Sequence, residues 1–291
     1  IDIKNEVSYM SDAKKYAIGI DIGTSGAKTV LFDIAGKVIK SATEEYPLYQ
    51  PKNGWAEQNP DDWWTAVKAT LKEVSEGVDG IIGIGLSGQM HGLVMLDSEG
   101  EVIRPSIIWC DQRTIKQCQE ITEKIGKERL IKITANPALT GFTASKILWV
   151  RENEPENYAK CKHILLPKDY IRFKLTGELA TDVSDASGMQ LLDIKNRCWS
   201  DEVLEALDID KSLLPTVYES PEITGRIKNI GICEGVPVVA GAGDNAAAAV
   251  GTGVVKNGKA FVTIDTSGVV FAVCYQPVKF HRLVKQQYTL F

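Results

Sequence analysis

The chain has 291 residues, 44% of them apolar, which is too long for a minimal domain and suits one large α/β domain or two small ones. Its 33 Lys and Arg against 38 Asp and Glu give a net charge of −5 at pH 7, which argues against nonspecific nucleic-acid binding but leaves room for a local phosphate site. No apolar run approaches the roughly 18 residues of a membrane span, and the N-terminal stretch is polar rather than secretory, so no membrane association is expected.

The six cysteines (110, 118, 161, 198, 233 and 274) show no C-x-x-C pairing, which fits buried thiols in a reducing cytoplasm better than disulfides or a zinc site. The three histidines (91, 163 and 281) are too dispersed for an obvious metal cluster. Residues 1–15 read as an N-terminal extension, and Met10 has the look of a natural start within it.

Strands are expected over 16–22, 27–34 and 37–46, joined by turns too short for parallel crossovers and therefore antiparallel. The first turn is Asp21-Ile-Gly-Thr-Ser-Gly-Ala-Lys28. Gly23 and Gly26 free the backbone to face an anion, Thr24 and Ser25 add hydroxyl donors, Lys28 adds a positive charge, and Asp21 suits a magnesium ion or its waters. No helix follows these glycines, so this is not a Walker loop, and a plain hairpin turn is the competing reading.

Asn59-Pro60-Asp61-Asp62 predicts a helix start, with the helix running to about Glu76. Gly80–Ser87 reads as a buried parallel strand, and helices are expected near 112–126, 143–153, 167–176 and 200–207. His163 falls in a polar stretch and is assigned to structure or surface. After a strand at 237–241, Asp244 begins a helix where open α/β sheets place ligands; a simple helix N-cap is the alternative for this aspartate. A last hairpin, 259–264 with 268–273, turns at Asp265-Thr-Ser-Gly268 and echoes Gly23-Thr-Ser-Gly26, which points to an internal duplication.

Three antiparallel strands, a helix and then parallel strands make an α/β ribonuclease H-like domain of the actin-like ATPase superfamily, with a mixed sheet and helices on both faces. Several motifs then occur in order: the hairpin 21–28, Gly54-Trp-Ala-Glu-Gln-Asn-Pro60, Gly88-Gln-Met-His-Gly92, Ile108-Trp-Cys-Asp-Gln-Arg113, residues 141–153, Leu166-Pro-Lys-Asp-Tyr170, Ser184-Asp-Ala-Ser-Gly188 and Gly241-Ala-Gly-Asp-Asn-Ala246. Together they resemble the N-terminal domain of the FGGY family of carbohydrate kinases, nearest to its xylulokinases, over about Tyr16–Val273.

The resemblance implies ATP-dependent phosphorylation of D-xylulose to D-xylulose 5-phosphate with Mg2+. Asp244 would be the general base and Asp21 the magnesium-side carboxylate. Gly23, Thr24, Ser25, Gly26 and Lys28, with Thr266, Ser267 and Gly268, would contact the nucleotide phosphates. Met90 and His91 would select the sugar, with Gln89, Asp244, Asn245, Trp109 and Asp111 as further sugar contacts.

Residues 16–258 would be the N-terminal domain, and 259–291 the start of a second, incomplete one. Asp265 stands where the family has glycine, and two like charges about 4 Å apart repel by up to about 4 kcal/mol at an effective dielectric of 20. A sugar site with weak or no turnover is therefore expected of this chain, with homodimerisation through an exposed apolar face near 269–273. Another FGGY substrate (gluconate, ribulose or glycerol), a non-catalytic sugar-binding fragment, and an actin-like or chaperone ATPase remain as alternatives.

Overall fold

The computed structural model describes residues 14–264 and 268–274. Seven strands form the main sheet. The first three, β1 (Tyr16–Ile22), β2 (Gly26–Asp33) and β3 (Val38–Glu45), pair antiparallel in sequence, as expected. β4 (Ile81–Gly88) lies parallel to β1. On its far side lie β6 (Pro237–Val239), then β5 (Ile223–Arg226), and β7 (Ala242–Gly243) extends the pairing along β4.

Register explains what each face does. Ile18, Ile20 and Ile22 of β1 lie beside Leu31, Thr29 and Ala27 of β2 and beside Ile84, Leu86 and Gly88 of β4, giving a buried row that alternates with a second one. Helix α1 (Pro60–Ser75) covers that row with Trp63, Ala66, Val67, Thr70, Leu71 and Val74, one face of a 3.6-residue repeat. The hydroxyls of Thr29 and Thr70 meet at 2.7 Å and satisfy the two polar groups in this apolar layer. The Asn59 side chain accepts from the Asp61 N–H with Pro60 behind it, so the predicted cap is the observed one.

The opposite row places Asp21 of β1 between Lys28 of β2 and Ser87 of β4. The alternation also corrects the reading of β4 as a fully buried strand, since only alternate residues of it are buried.

A second hydrophobic cluster lies among helices and short strands between β4 and β5. It unites Leu93, Ile121, Leu130, Ile147, Leu166, Leu191 and Leu204. Helices α2 (Thr143–Asn153) and α3 (Pro167–Thr176) match their predicted spans, whereas the helices at Lys127–Thr134 and Pro155–Lys160 were not anticipated. Helix α3 bridges the clusters, its Tyr170, Ile171 and Leu175 packing with the sheet. The short helix α4 (Val183–Ala186) follows, and α5 (Asp244–Gly251) leaves the end of β7. Strands Ala260–Ile264 and Gly268–Ala272 pair antiparallel as expected, but Asp265, Thr266 and Ser267 lie outside the described residues. Among the described residues no helix is long and apolar enough to cross a membrane.

Candidate active site

The turn between β1 and β2 is closed by the Gly23 N–H donating to Gly26 O at 3.0 Å. A Cβ on Gly26 would sit 2.6 Å from Glu44 O, so glycine is required here by the close approach of β3. The turn's carbonyls are taken up by protein. Gly23 O accepts from the Tyr46 hydroxyl at 2.5 Å and from Gln89 Nε2 at 3.2 Å; Thr24 O accepts from Gln58 Nε2 at 2.7 Å. Ser25 O accepts from the Tyr46 N–H at 3.3 Å. Burial, and then the Asp21 carboxylate, push the Tyr46 phenol well above its usual range, so it stays a donor. Thr24 Oγ1 accepts from the Trp109 indole N–H at 2.9 Å, which leaves the threonine proton free to be donated elsewhere. Ser25 and Lys28 are exposed.

At the end of β4, the loop Gln89-Met90-His91 turns beneath this hairpin. His91 adopts φ of 69°, a conformation that costs a non-glycine residue energy and is retained only where neighbours fix it. Those neighbours are on two segments, 142–146 and Gly188. The His91 carbonyl accepts from Lys146 Nζ at 2.7 Å and Thr143 Oγ1 at 3.1 Å, and the ring packs edge-on against Phe142 at 4.5 Å. Its Nδ1 lies 2.8 Å from Gly188 O. Burial, then the Lys146 charge, lower the imidazole pKa to about 3, so the ring is neutral at pH 7. A carbonyl can only accept; Nδ1 therefore carries the proton, and Nε2 is left as an acceptor.

Two glycines seat this loop. A Cβ at Gly188 would meet His91 Nδ1 at 2.4 Å, and one at Gly243 would meet Met90 Sδ at 2.8 Å. The motifs at 88–92, 184–188 and 241–246, separated in sequence, thus meet around Met90 and His91.

Asp244 is the first residue of α5, and Gly243 rather than Asp244 occupies the N-cap. Its Oδ1 accepts from the Asn245 N–H at 2.6 Å and from Asn245 Nδ2 at 3.0 Å. The carboxylate is open to solvent yet walled by protein on most sides. Loss of surrounding water raises its pKa to about 6, the Asn245 N–H opposes this, and the Asp21 carboxylate adds to it. Asp21 is likewise raised by partial burial, against the pull of a Ser87 hydrogen bond and Lys28.

Two expected sugar contacts are placed differently. The carboxylate of Asp111 is fully buried, holding the Ala56 N–H at 2.7 Å and the Arg113 guanidinium at 2.7 Å, so it is committed to the protein. Gln89 is buried with its amide donating to Gly23 O and, at 2.8 Å, to Gln58 Oε1. Gln58, missed in the sequence, also accepts from Trp63 Nε1 at 3.2 Å, and through Gln89 and Thr24 O it ties the 89–91 loop to the β1–β2 turn. Thr266 and Ser267 lie outside the described residues, and Gly268 begins the last strand.

Behind Asp244 lies a fully buried charge cluster that the sequence reading did not foresee. Lys168 Nζ lies 2.6 Å from Asp169, 2.9 Å from Asp182 and 3.4 Å from Asp185, while Arg172 pairs with Asp169 at 2.8 Å. Three carboxylates face two cations, so one carboxylate is best held protonated. Asp185 has the longest contact to Lys168 and neither of its oxygens is hydrogen-bonded; burial raises its pKa well above the usual range. A raised carboxylate pKa costs stability as pH climbs above the unfolded value of about 4. Asp185→Asn is therefore expected to raise the thermal midpoint at pH 7, the gain vanishing below about pH 4. A lowered midpoint at pH 7 would mean that Asp185 is ionised and paired.

Residues 16–251 match the sequence model of the FGGY family of carbohydrate kinases, N-terminal domain. The xylulose kinase of Lactococcus lactis is 45% identical over 271 residues, covering 90% of this chain and 54% of the relative. The crystal structure of a xyloylose kinase from Brucella ovis superposes with a TM-score of 0.82 at 41% identity, covering 88% of this chain and 54% of that one. A gluconate kinase from Lactobacillus acidophilus gives 0.83 at 31% identity with the same coverage. The chain therefore spans about half the length of the relatives it matches.

Proposed function

Because the chain belongs to the FGGY family of carbohydrate kinases, with the actin-like ATPase fold of its structural neighbours, we propose that it supplies the sugar site and first phosphate hairpin of a xylulokinase. The reaction is transfer of the ATP γ-phosphoryl group to O5 of D-xylulose. The observation that carries this reading is the neutral His91, held in a left-handed conformation beside Met90 and near the base Asp244.

In this reading a sugar hydroxyl donates to His91 Nε2, Met90 forms an apolar wall and the Asn245 amide remains as a polar sugar contact, while the Thr24 hydroxyl is left for a nucleotide phosphate. Asp244, with its pKa near 6, is mostly ionised at pH 7 and is a stronger base than an ordinary aspartate. It takes the O5 proton as the phosphoryl group arrives. Gln89, Trp109 and Asp111 act through the loops they fix, not by touching the sugar.

The donor set near Asp21 fits magnesium. It offers one hard carboxylate flanked by a hydroxyl, and no group of three or more Asp, Glu, His or Cys residues among those described forms a protein cage. Magnesium commonly keeps its waters and phosphate oxygens, and when bound would neutralise phosphate charge. Residues 16–258 form the domain in this reading, with 259 onward opening a second.

The Lactobacillus gluconate kinase fits the fold equally well, so gluconate is the second candidate. Xylulose is favoured because a gluconate carboxylate would enter a site that already carries Asp21 and Asp244.

Binding of D-xylulose between pH 5 and 8 tests the assignment. His91 is neutral throughout this range, so affinity is expected to weaken on acidification through a midpoint near 6 set by Asp244, separate from any step near 7 due to Lys146, whose pKa burial lowers to about 7 beneath the His91 carbonyl. Asp244→Asn should abolish that midpoint, and its persistence in the variant would contradict the role given to Asp244.

A further inference from the structure

Three segments without a part in the sugar and phosphate readings converge behind Asp244: Pro167–Arg172, Asp182–Asp185 and Ser220–Glu222. They hold the four residues that lead into the base. Arg172 donates to the carbonyls of Ala180 and Ala240. The Ala240 N–H donates to Glu222 O at 2.8 Å, and the Gly241 N–H to Ser220 O at 3.0 Å. Gly241, at φ of 75°, presses so closely on β4 that a Cβ would lie 2.2 Å from Leu86 O.

The final link is a single hydroxyl. Ser184 Oγ donates to Asp182 Oδ2 at 2.6 Å and accepts from the Gly243 N–H at 3.2 Å. A hydroxyl has one proton, and here it is committed to a carboxylate, so the lone pair facing Gly243 is fixed in direction. Asp182 is itself fixed, by Lys168 at 2.9 Å, by the Ser184 N–H at 2.8 Å and by the Ser220 hydroxyl at 2.8 Å. The chain of contacts thus runs from a buried ammonium to the N–H of Gly243, the residue before Asp244.

We propose that Ser184 is a positioning residue for Asp244, carrying the rigidity of the Lys168–Asp182 pair to the Gly243 N–H. The inference rests on the reading of Asp244 as the base. Gly243 also seats Met90, so a shift of this peptide would move both the base and the apolar wall of the sugar site. The titratable groups bearing on Asp244 are the Asp21 carboxylate from β1 and Asp185 from α4, the latter held protonated by burial, with Asn245 bonded to it from α5.

The test compares Ser184→Ala, Ser184→Thr and Ser220→Ala in the chain as it stands. The readouts are the Asp244 carboxyl titration by carbon-13 NMR, D-xylulose affinity and thermal midpoint. Ser184→Ala is expected to shift the Asp244 titration from near 6 towards ordinary carboxylate values and to weaken xylulose binding about tenfold. Ser184→Thr keeps a hydroxyl on the same carbon and should restore both. Ser220→Ala removes a donor to Asp182 but not the link to Gly243, so it should lower the midpoint and leave the Asp244 titration in place.

If Ser184→Ala does not fold, Ser184→Cys, nearly the same size and a weaker acceptor, is expected to give the same shifts. An Asp244 titration unchanged in a folded Ser184→Ala or Ser184→Cys protein would overturn the proposal. Absence of xylulose binding in every form, wild type included, would instead count against the sugar reading, and the NMR titration would still decide the role of Ser184.

Discussion

Lys168→Ala is expected to cost about 3–5 kcal/mol of stability, a large share of a typical domain's total. Lys168 is fully buried and within 3.4 Å of three carboxylates; without it only Arg172 remains to balance them. Its ammonium is held above its usual pKa by those carboxylates despite the opposing effect of burial, so it is charged at every accessible pH. Asp182 is displaced the other way: burial raises it, but Lys168 and its hydrogen bonds prevail and hold it low. A depressed carboxylate contributes stability above the unfolded pKa of about 4 that is lost as pH falls through the folded value. The cost of Lys168→Ala should accordingly be full at pH 7 and shrink in acid. Urea denaturation at both pH values measures it, and a wild-type midpoint at pH 7 would show that the cluster is not a net contributor.

In the reading of Asp244 as the base, whatever phosphoryl transfer to xylulose the chain supports is expected to fall by about 10²–10⁴-fold in Asp244→Asn, the usual contribution of a positioned base. Asparagine keeps the shape and the acceptor facing the Asn245 N–H but cannot take the O5 proton. Stability should not fall with it, because a carboxylate with a raised pKa near another carboxylate is a burden on the folded state above pH 4. Steady-state turnover at saturating xylulose and ATP, with a thermal midpoint measured alongside, separates lost chemistry from lost structure. A variant retaining more than about a tenth of the rate would remove Asp244 from the role of base.

The sheet and the Asn59 cap were legible because each rests on short-range rules. Alternation in β1, a turn too short to cross over, and an Asn-Pro-Asp-Asp start need no knowledge of distant residues. The short helices at 127–134 and 155–160 were not legible, because both are brief, the first offering barely two turns of apolar repeat and the second burying none of its residues.

The site divides along the same line. Asp21, Met90, His91 and Asp244 stand in motifs, and packing brings the segments of Met90, His91 and Asp244 together through Gly188 and Gly243. Gln89 and Asp111 looked equally polar in sequence, yet long-range partners engage them: Gly23 and Gln58 in one case, Arg113 and Ala56 in the other. Lys168, Asp182 and Ser184 acquire meaning only when α3 and α4 meet the turn before Asp244. The one trace in the sequence is that three of the four charges on the helix, Lys168, Asp169 and Arg172, stand among largely apolar or aromatic residues, the fourth being Lys174 in its last turn.

The measurement closest to the central claim is calorimetric titration of this chain with D-xylulose, against D-gluconate and glycerol, in wild type and in His91→Ala. Saturable binding of xylulose, weaker or absent for the other two and lost in His91→Ala, is the expected result. Binding of gluconate or glycerol in preference to xylulose, or xylulose binding that survives His91→Ala unchanged, would contradict a xylulose site built on the His91 loop.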